Sequence, residues 1–194
     1  MSKVLVTYST NSGSTGEMAE VIASELNQTG HSADVRLIKD VHDLKSYDAV
    51  VVGAPMIFGW HKTARQFLKR NNNALVAKKV ACFACALRLT QVSEESLQTV
   101  PLILDQNLVS EPEKPDSLSI KERFTTLEYY LKTIVQATPE VKPVSVAFFN
   151  GKLDMRCLKW WQAAFVMIVV QAMPGDYRNW DAIRAWGRSL SKII

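Results

Sequence analysis

Between the apolar run Val4-Leu5-Val6-Thr7-Tyr8 and an amphipathic stretch lies Ser9-Thr10-Asn11-Ser12-Gly13-Ser14-Thr15-Gly16-Glu17. Its hydroxyls and side-chain amide are neutral hydrogen-bonding groups, and its glycines let the backbone come close to a ligand. A helix starting here adds unpaired N–H groups and the positive end of a dipole, which suits a phosphate. Ser14 with Glu17 three residues on has the capping-box pattern, which predicts a helix start directly after the loop. The loop holds no lysine, so it is not GxxxxGK[ST], and it is not GxGxxG. Neutral donors without a cation suit a monophosphate better than a triphosphate carrying Mg²⁺.

A second segment, Gly53-Ala54-Pro55-Met56-Ile57-Phe58-Gly59-Trp60-His61, is unusually apolar and aromatic for an exposed loop. It follows the most hydrophobic strand-like run, Tyr47 to Gly53. In open parallel sheets, ligands sit beyond the carboxyl ends of strands where the strand order reverses. A phosphate cradle facing this loop fits a ligand with one phosphate and one large flat aromatic head, which describes non-covalent FMN. The candidate cofactor residues are Ser9, Thr10, Asn11, Ser12, Gly13, Ser14, Thr15, Pro55, Met56, Ile57, Phe58, Gly59, Trp60, Leu87 and Arg88. Phe58 and Trp60 have an alternative reading as anchors packed on the sheet.

The elements that must hold these loops follow from periodicity. Short apolar strands are expected at Val4–Tyr8, Ala33–Ile38, Tyr47–Gly53, Lys79–Leu87 and Val144–Phe149. Helical patterns run over Glu17–Gln28, Thr63–Arg70 and Ile120–Ala137. Such alternation predicts a five-stranded parallel sheet of order 2-1-3-4-5, with helices on both faces. Two regions exceed that minimum: the polar, proline-bearing insertion loop Leu89–Ser119, and a C-terminal extension over 155–194. The extension reads as two helices. One is the apolar stretch over 158–173, beginning with Trp160-Trp161, and the other runs from about Trp180 to Ile193.

The 194 residues fit a single domain, with 23 Lys plus Arg against 19 Asp plus Glu. The first 150 residues carry 16 of each sign, so the whole net charge of +4 lies in the C-terminal quarter. That balance excludes an arginine-rich nucleic-acid binder. The apolar stretch over 158–173 is too short to span a bilayer. It is expected either to be buried or to rest on an anionic membrane, flanked by Lys152, Arg156 and Lys159. The chain reads as cytoplasmic, with no signal peptide. Three cysteines exclude a disulfide scaffold; Cys82 and Cys85 lie three apart in a strand, hence on opposite faces, and are expected as buried thiols. A phosphorylation receiver is excluded, since Ser9-Thr10 and Gly53-Ala54 stand where acids are needed. His31, His42 and His61 are scattered, and no metal is assigned.

The loop Ser9–Thr15 resembles the FMN-phosphate loop of flavodoxins. More narrowly, the chain resembles the flavodoxin-like family of menaquinone-dependent protoporphyrinogen IX dehydrogenases. The matching residues are Gly53-Ala54-Pro55-Met56-Ile57-Phe58-Gly59-Trp60-His61, Phe149-Asn150-Gly151-Lys152-Leu153-Asp154, Leu158-Lys159-Trp160-Trp161, and the closing Gly175-Asp176-Tyr177-Arg178-Asn179-Trp180-Asp181-Ala182-Ile183-Arg184-Ala185-Trp186. This resemblance implies a three-layer flavodoxin-like domain that dehydrogenates a porphyrinogen through FMN and passes the electrons to a quinone, in heme biosynthesis. It implies a small-molecule substrate and a quinone as partners, and a peripheral position on the inner face of the membrane. Arg88 and His61, with Lys62, fall in loops expected near the flavin ring, where a cation would stabilise the reduced flavin. The competing readings are an electron-transfer flavodoxin without its own substrate, and a flavin-free interaction module of the same fold.

Overall fold

The computed structural model describes residues 1–57, 59–90, 100–114, 117–154 and 173–194. Its strands in chain order are β1 (Lys3–Tyr8), β2 (Ser32–Leu37), β3 (Ala49–Pro55), β4 (Lys79–Ala86), β5 (Leu89–Thr90), β6 (Leu102–Leu104), β7 (Val109–Ser110), β8 (Ser145–Asn150), β9 (Lys152–Leu153) and β10 (Gly175–Asp176). The helices are α1 (Ser14–Gln28), α2 (Lys62–Arg70), α3 (Asn72–Leu75), α4 (Ile120–Arg123), α5 (Leu127–Val135) and α6 (Trp180–Leu190).

The main sheet has the order β2-β1-β3-β4-β8-β6, and every pairing in it is parallel. The five expected strands keep their expected order, with β8 in fifth place. A sixth strand is added at the edge, so a sheet of five strands is one short. The extra strand, β6, comes from within the Leu89–Ser119 segment, which is therefore not a plain loop. Its Leu-Ile-Leu run pairs with Val146, Ala147 and Phe148. Pro101 starts it as an acceptor, its carbonyl taking the Val146 N–H at 2.9 Å.

Side chains alternate across the sheet with period two. Val50, Val52, Cys82, Ala84, Val146 and Phe148 face one helix layer, where α2, α3 and α5 supply Phe67, Leu68, Leu75, Leu131 and Ile134. Val51, Ala81, Phe83, Cys85, Ala147 and Phe149 face the other, where α1 and α6 supply Met18, Ile22, Leu26, Ile183, Trp186 and Leu190. The same alternation separates Cys82 from Cys85, both of them buried free thiols, and burial pushes each thiol up to about 12.

α6 is an integral helix of its layer. Gly187 lets it close on α1, since a Cβ there would stand 2.9 Å from the Glu25 Cβ. Trp186 Nε1 donates to Ser145 Oγ at 2.9 Å, and Arg188 pairs with Glu25 at 3.1 Å. The apolar stretch over 158–173 lies outside the described residues except for Met173. Among the described residues, no helix is long and apolar enough to cross a membrane.

The pattern over Ile120–Ala137 reads as one helix but forms two. Thr126 starts α5 afresh, its hydroxyl accepting from the Tyr129 N–H at 3.2 Å. Just before it, the Thr125 carbonyl is taken by the Thr90 N–H at 2.8 Å. That tertiary bond, with the capping hydroxyl, overrides continuous helical periodicity.

Candidate functional site

Strands β1, β3, β4 and β8 end on one side of the sheet, and their following segments enclose a single cleft. Asn11, Ser12, Ser14 and Thr15 form one wall and Pro55, Met56 and Ile57 a second. Leu87, Arg88, Lys121, Thr125 and Tyr130 form a third, and Gly151, Lys152, Leu153 and Asp154 close it. Nine of the predicted cofactor residues thus meet here: Asn11, Ser12, Ser14, Thr15, Pro55, Met56, Ile57, Leu87 and Arg88.

The loop after β1 folds more tightly than its capping-box pattern suggests. Gly13 is the residue before the helix, at φ 90, in a conformation that L side chains rarely adopt. Its carbonyl accepts from Gly16 N at 2.9 Å, and its N–H donates to Thr10 Oγ1 at 2.8 Å. The helix therefore begins at Ser14, and Ser14 is not its cap. Glu17 turns away from the loop toward Arg178, 2.7 Å distant. The Ser14 and Thr15 amides are left without a partner among the described residues, as at any helix start. Ser9 Oγ and Thr15 Oγ1 are buried yet lack a hydrogen-bond partner among the described residues. Orphaned hydroxyls of this kind are costly unless something accepts them, and a phosphate at this helix start would do so. The residues present therefore fit the phosphate end of FMN.

The apolar loop after β3 is a tight reversal. Met56 and Trp60 bridge across it, Ile57 N donates to Gly59 O at 3.1 Å, and Gly59 takes φ 115. Ile57 stands at the mouth with 59% of its surface exposed. Trp60 does the opposite: it is buried in the core, its backbone N–H donating to Thr133 Oγ1 at 3.3 Å. Trp60 thus takes the anchoring alternative, away from the cleft lining. Phe58 lies outside the described residues. Gly59, Ser9, Thr10 and Gly13 support the lining without belonging to it. His61 starts α2, its Nδ1 accepting from the Thr63 N–H at 3.3 Å. Burial, then nearby Arg65, lowers its pKa, so it is a neutral cap outside the cleft.

Arg88 does reach the cleft. Its carbonyl accepts from Tyr130 Oη at 3.0 Å, and its Nη2 lies 3.6 Å from Glu122 Oε1. Arg88 Nε is buried without a partner among the described residues. Glu122 is buried, with 2% of its side chain exposed, and is saturated with donors. Glu113 N donates to it at 2.6 Å, Ser119 N at 2.8 Å and Ser119 Oγ at 2.7 Å. These bonds, the Glu113 amide foremost and Arg88 last, hold its carboxyl at about 2. Glu122 therefore stays ionised, tying the inserted segment to Arg88, the one arginine lining the cleft among the described residues.

Arg178 is a residue that local sequence patterns do not single out. Only 3% of its side chain is exposed, and it forks onto Asp176 at 2.5 Å and Glu17 at 2.7 Å. Its guanidinium stacks on Trp180, 4.4 Å from the ring centre. It thereby ties β10 to the first turn of α1. β10 pairs with cleft-lining β9, so Arg178 couples two walls of the site. Its partners lie up to 164 positions away, beyond any local motif. Among the described residues, no cluster of His, Cys, Asp and Glu could hold a metal.

The flavodoxin domain family matches residues 5–179 of the chain. Protoporphyrinogen IX dehydrogenase [quinone] of Escherichia coli (strain K12) is 23% identical over 202 aligned residues, covering 98% of this chain and 96% of that protein. Among solved structures, the two-electron reduced flavodoxin of Megasphaera elsdenii has a TM-score of 0.54 at 14% identity, covering 97% of this chain and 98% of its own. A short-chain flavodoxin associated with a non-canonical PDU bacterial microcompartment gives 0.55 at 11% identity, covering 100% and 99%.

Proposed function

The chain belongs to the flavodoxin domain family, and from that premise we propose that it binds FMN in this cleft and dehydrogenates a porphyrinogen with a quinone as acceptor. FMN, when bound, supplies a ring that takes electrons from a carbon–hydrogen bond of the substrate and passes them on to a quinone. The chain's own residues bind and orient. Thr15 and the first turn of α1 hold the phosphate, with Asn11 and Ser12 beside them. Met56 and Ile57 on one side, and Leu87 on the other, offer apolar surface to a flat ring and keep water from it.

The observation that carries this reading is the contrast across the cleft. Against the uncharged loop the rest of the lining carries three cations, Arg88, Lys121 and Lys152, to one acid, Asp154, a balance suited to an electron-rich ring and to a substrate bearing carboxylates. Arg88, held by Glu122, is the group we assign to stabilising the reduced flavin; His61 has its own role as a helix cap. The E. coli relative supports the choice of porphyrinogen and quinone by its name and its near-complete coverage.

The test is direct. Purified protein should carry releasable FMN. Anaerobic protoporphyrinogen should bleach it, and a menaquinone analogue should restore the colour. Bound FMN that protoporphyrinogen leaves unbleached would end the dehydrogenase reading in favour of an electron carrier. Protein that neither carries nor takes up FMN would end both.

A further inference from the structure

The main sheet has two edges, and they are built differently. β6 is three residues long, entered from Pro101 and left through Asp105, whose carboxylate turns back to accept from the Asn107 and Asn150 amides. Short strands, prolines and charged ends are the means by which sheets blunt an exposed edge. β2 has no such protection. It runs six residues, Ser32-Ala33-Asp34-Val35-Arg36-Leu37, with no proline and no break in its register with β1. Among the described residues, no strand pairs with its other side.

The groups that face that open side follow from alternation along the strand. Ser32 N donates to Ser2 O at 3.0 Å, and the Arg36 carbonyl accepts from Thr7 Oγ1 at 3.0 Å, so the even positions face β1. Ala33, Val35 and Leu37 therefore turn their N–H and C=O outward. The Ala33 N–H is taken by Asn27 Oδ1 of α1 at 2.8 Å, while Val35 and Leu37 have no strand to pair with.

The strand is also complementary to itself. A second copy related by a two-fold axis at Val35 runs its β2 antiparallel to the first. The two Val35 residues then exchange N–H and C=O bonds, and at either end Leu37 N–H meets the Ala33 carbonyl of the other copy. Asp34 comes to lie opposite Arg36 at both positions, the cross-strand arrangement that opposite charges favour. Both are available: Arg36 is exposed with no ion pair among the described residues, and the Asp34 side chain is 37% exposed. Asp34 accepts from Tyr47 Oη at 2.9 Å and lies 4.0 Å from Lys3. Moving the axis to Ala33 or Leu37 loses both charge pairs and shortens the ladder. Beside the strand, α1 lines the groove with Ala23, Ser24, Asn27 and Gln28, small or neutral groups, and with one charge, Glu20.

We propose that β2 is the contact surface of a symmetric dimer, in which a second copy of this chain adds its own β2 antiparallel across a two-fold axis at Val35 and joins the two main sheets into one. An isologous contact of this kind closes at two copies. Because the paired strands run oppositely, the two clefts, at the carboxyl ends of the strands, open on opposite sides of the dimer. The contact is independent of what the cleft binds.

The experiment is sedimentation velocity on the purified full chain over a range of concentrations. The mass should rise from that of the 21.8 kDa chain to twice that value and stop there. Asp34→Arg sets two arginines against each other and Arg36→Asp two aspartates, so each variant alone should stay monomeric. Mixed in equal amounts the two should form a dimer again, since each residue then meets its opposite at both positions. Should Asp34→Arg fold poorly for want of its bond to Tyr47, Val35→Pro removes an outward N–H without touching the β1 ladder and should give a folded monomer. In the unaltered chain, amide exchange at Val35 and Leu37 should slow as concentration rises. A monomer at every concentration, a mass above the dimer, or undiminished dimer in the charge variants or in Val35→Pro overturns the proposal. So do charge variants that stay monomeric when mixed.

Discussion

The wall formed after β1 comes from one continuous stretch, residues 9–15, and is lined by hydroxyls with no charge. The charged lining gathers Arg88, Lys121, Lys152 and the acid Asp154 from separate stretches, and Arg88 is held by an ionised buried carboxylate. The first is assembled by local geometry: a glycine at positive φ, a helix start, and hydroxyls that the turn itself leaves over. The second exists only once the inserted segment has folded back and Glu122 has met Arg88. The site thus takes one part of its lining from a contiguous loop and the rest from stretches far apart in the sequence. Phosphate recognition should belong to the first wall and electron chemistry to the second.

That division can be broken by experiment. The largest effect should follow Thr15→Val, which removes a buried hydroxyl and keeps its shape. FMN affinity should fall roughly 10- to 100-fold, the equivalent of about 1.5–3 kcal/mol for a hydrogen bond to a charged group. Riboflavin, which lacks the phosphate, should bind as before by calorimetry. Equal losses for both ligands would show that this wall does not read the phosphate.

Next comes Glu122→Gln, which should lower the melting temperature at pH 7. The native carboxyl sits at about 2, below its ordinary value near 4.5, so the unfolded chain binds the proton first as pH falls. The stability it gives is complete above about pH 4.5 and is lost toward about pH 2. The gap between variant and parent should close over that window, followed by thermal melts at several pH values. A gap independent of pH would remove Glu122 from the account.

The smallest effect should be that of Arg88→Ala on the flavin. With its side chain 37% exposed, the charge is partly screened. The loss should be about 1 kcal/mol, which makes the two-electron potential more negative by on the order of 20 mV. FMN affinity should change much less than in Thr15→Val. An unchanged potential would leave the cationic wall without a role in electron transfer.

Much of the fold was legible in the sequence because it is written locally. The runs at Val4–Tyr8 and Lys79–Leu87 are mostly apolar, as strands buried on both faces are, and they emerge within a residue of their expected ends. The phosphate loop was legible for the same reason, being contiguous. What escaped depends on distant partners. β6 is only Leu-Ile-Leu, and it becomes a strand because β8 offers it an edge. The break between α4 and α5 answers to Thr90, and Trp60 is drawn inward by the core beside Thr133. Ser14 and Glu17 spell a capping box, yet Glu17 is claimed by Arg178 from the far end of the chain. Ser119 and Glu122 do stand at capping-box spacing and form one, but nothing local foretells that the same carboxylate meets the Arg88 guanidinium.

The two-stranded ladder of β9 and β10 makes one wall of the cleft answer to the helix behind another. Antiparallel pairing sets Gly175 opposite Leu153 and Asp176 opposite Lys152. Tyr177 N donates to Gly151 O at 3.1 Å, and Arg178 locks the junction onto α1. Two positions far apart in the sequence are thus clamped side by side, so a push on β10 passes to the Lys152 and Leu153 lining within one residue.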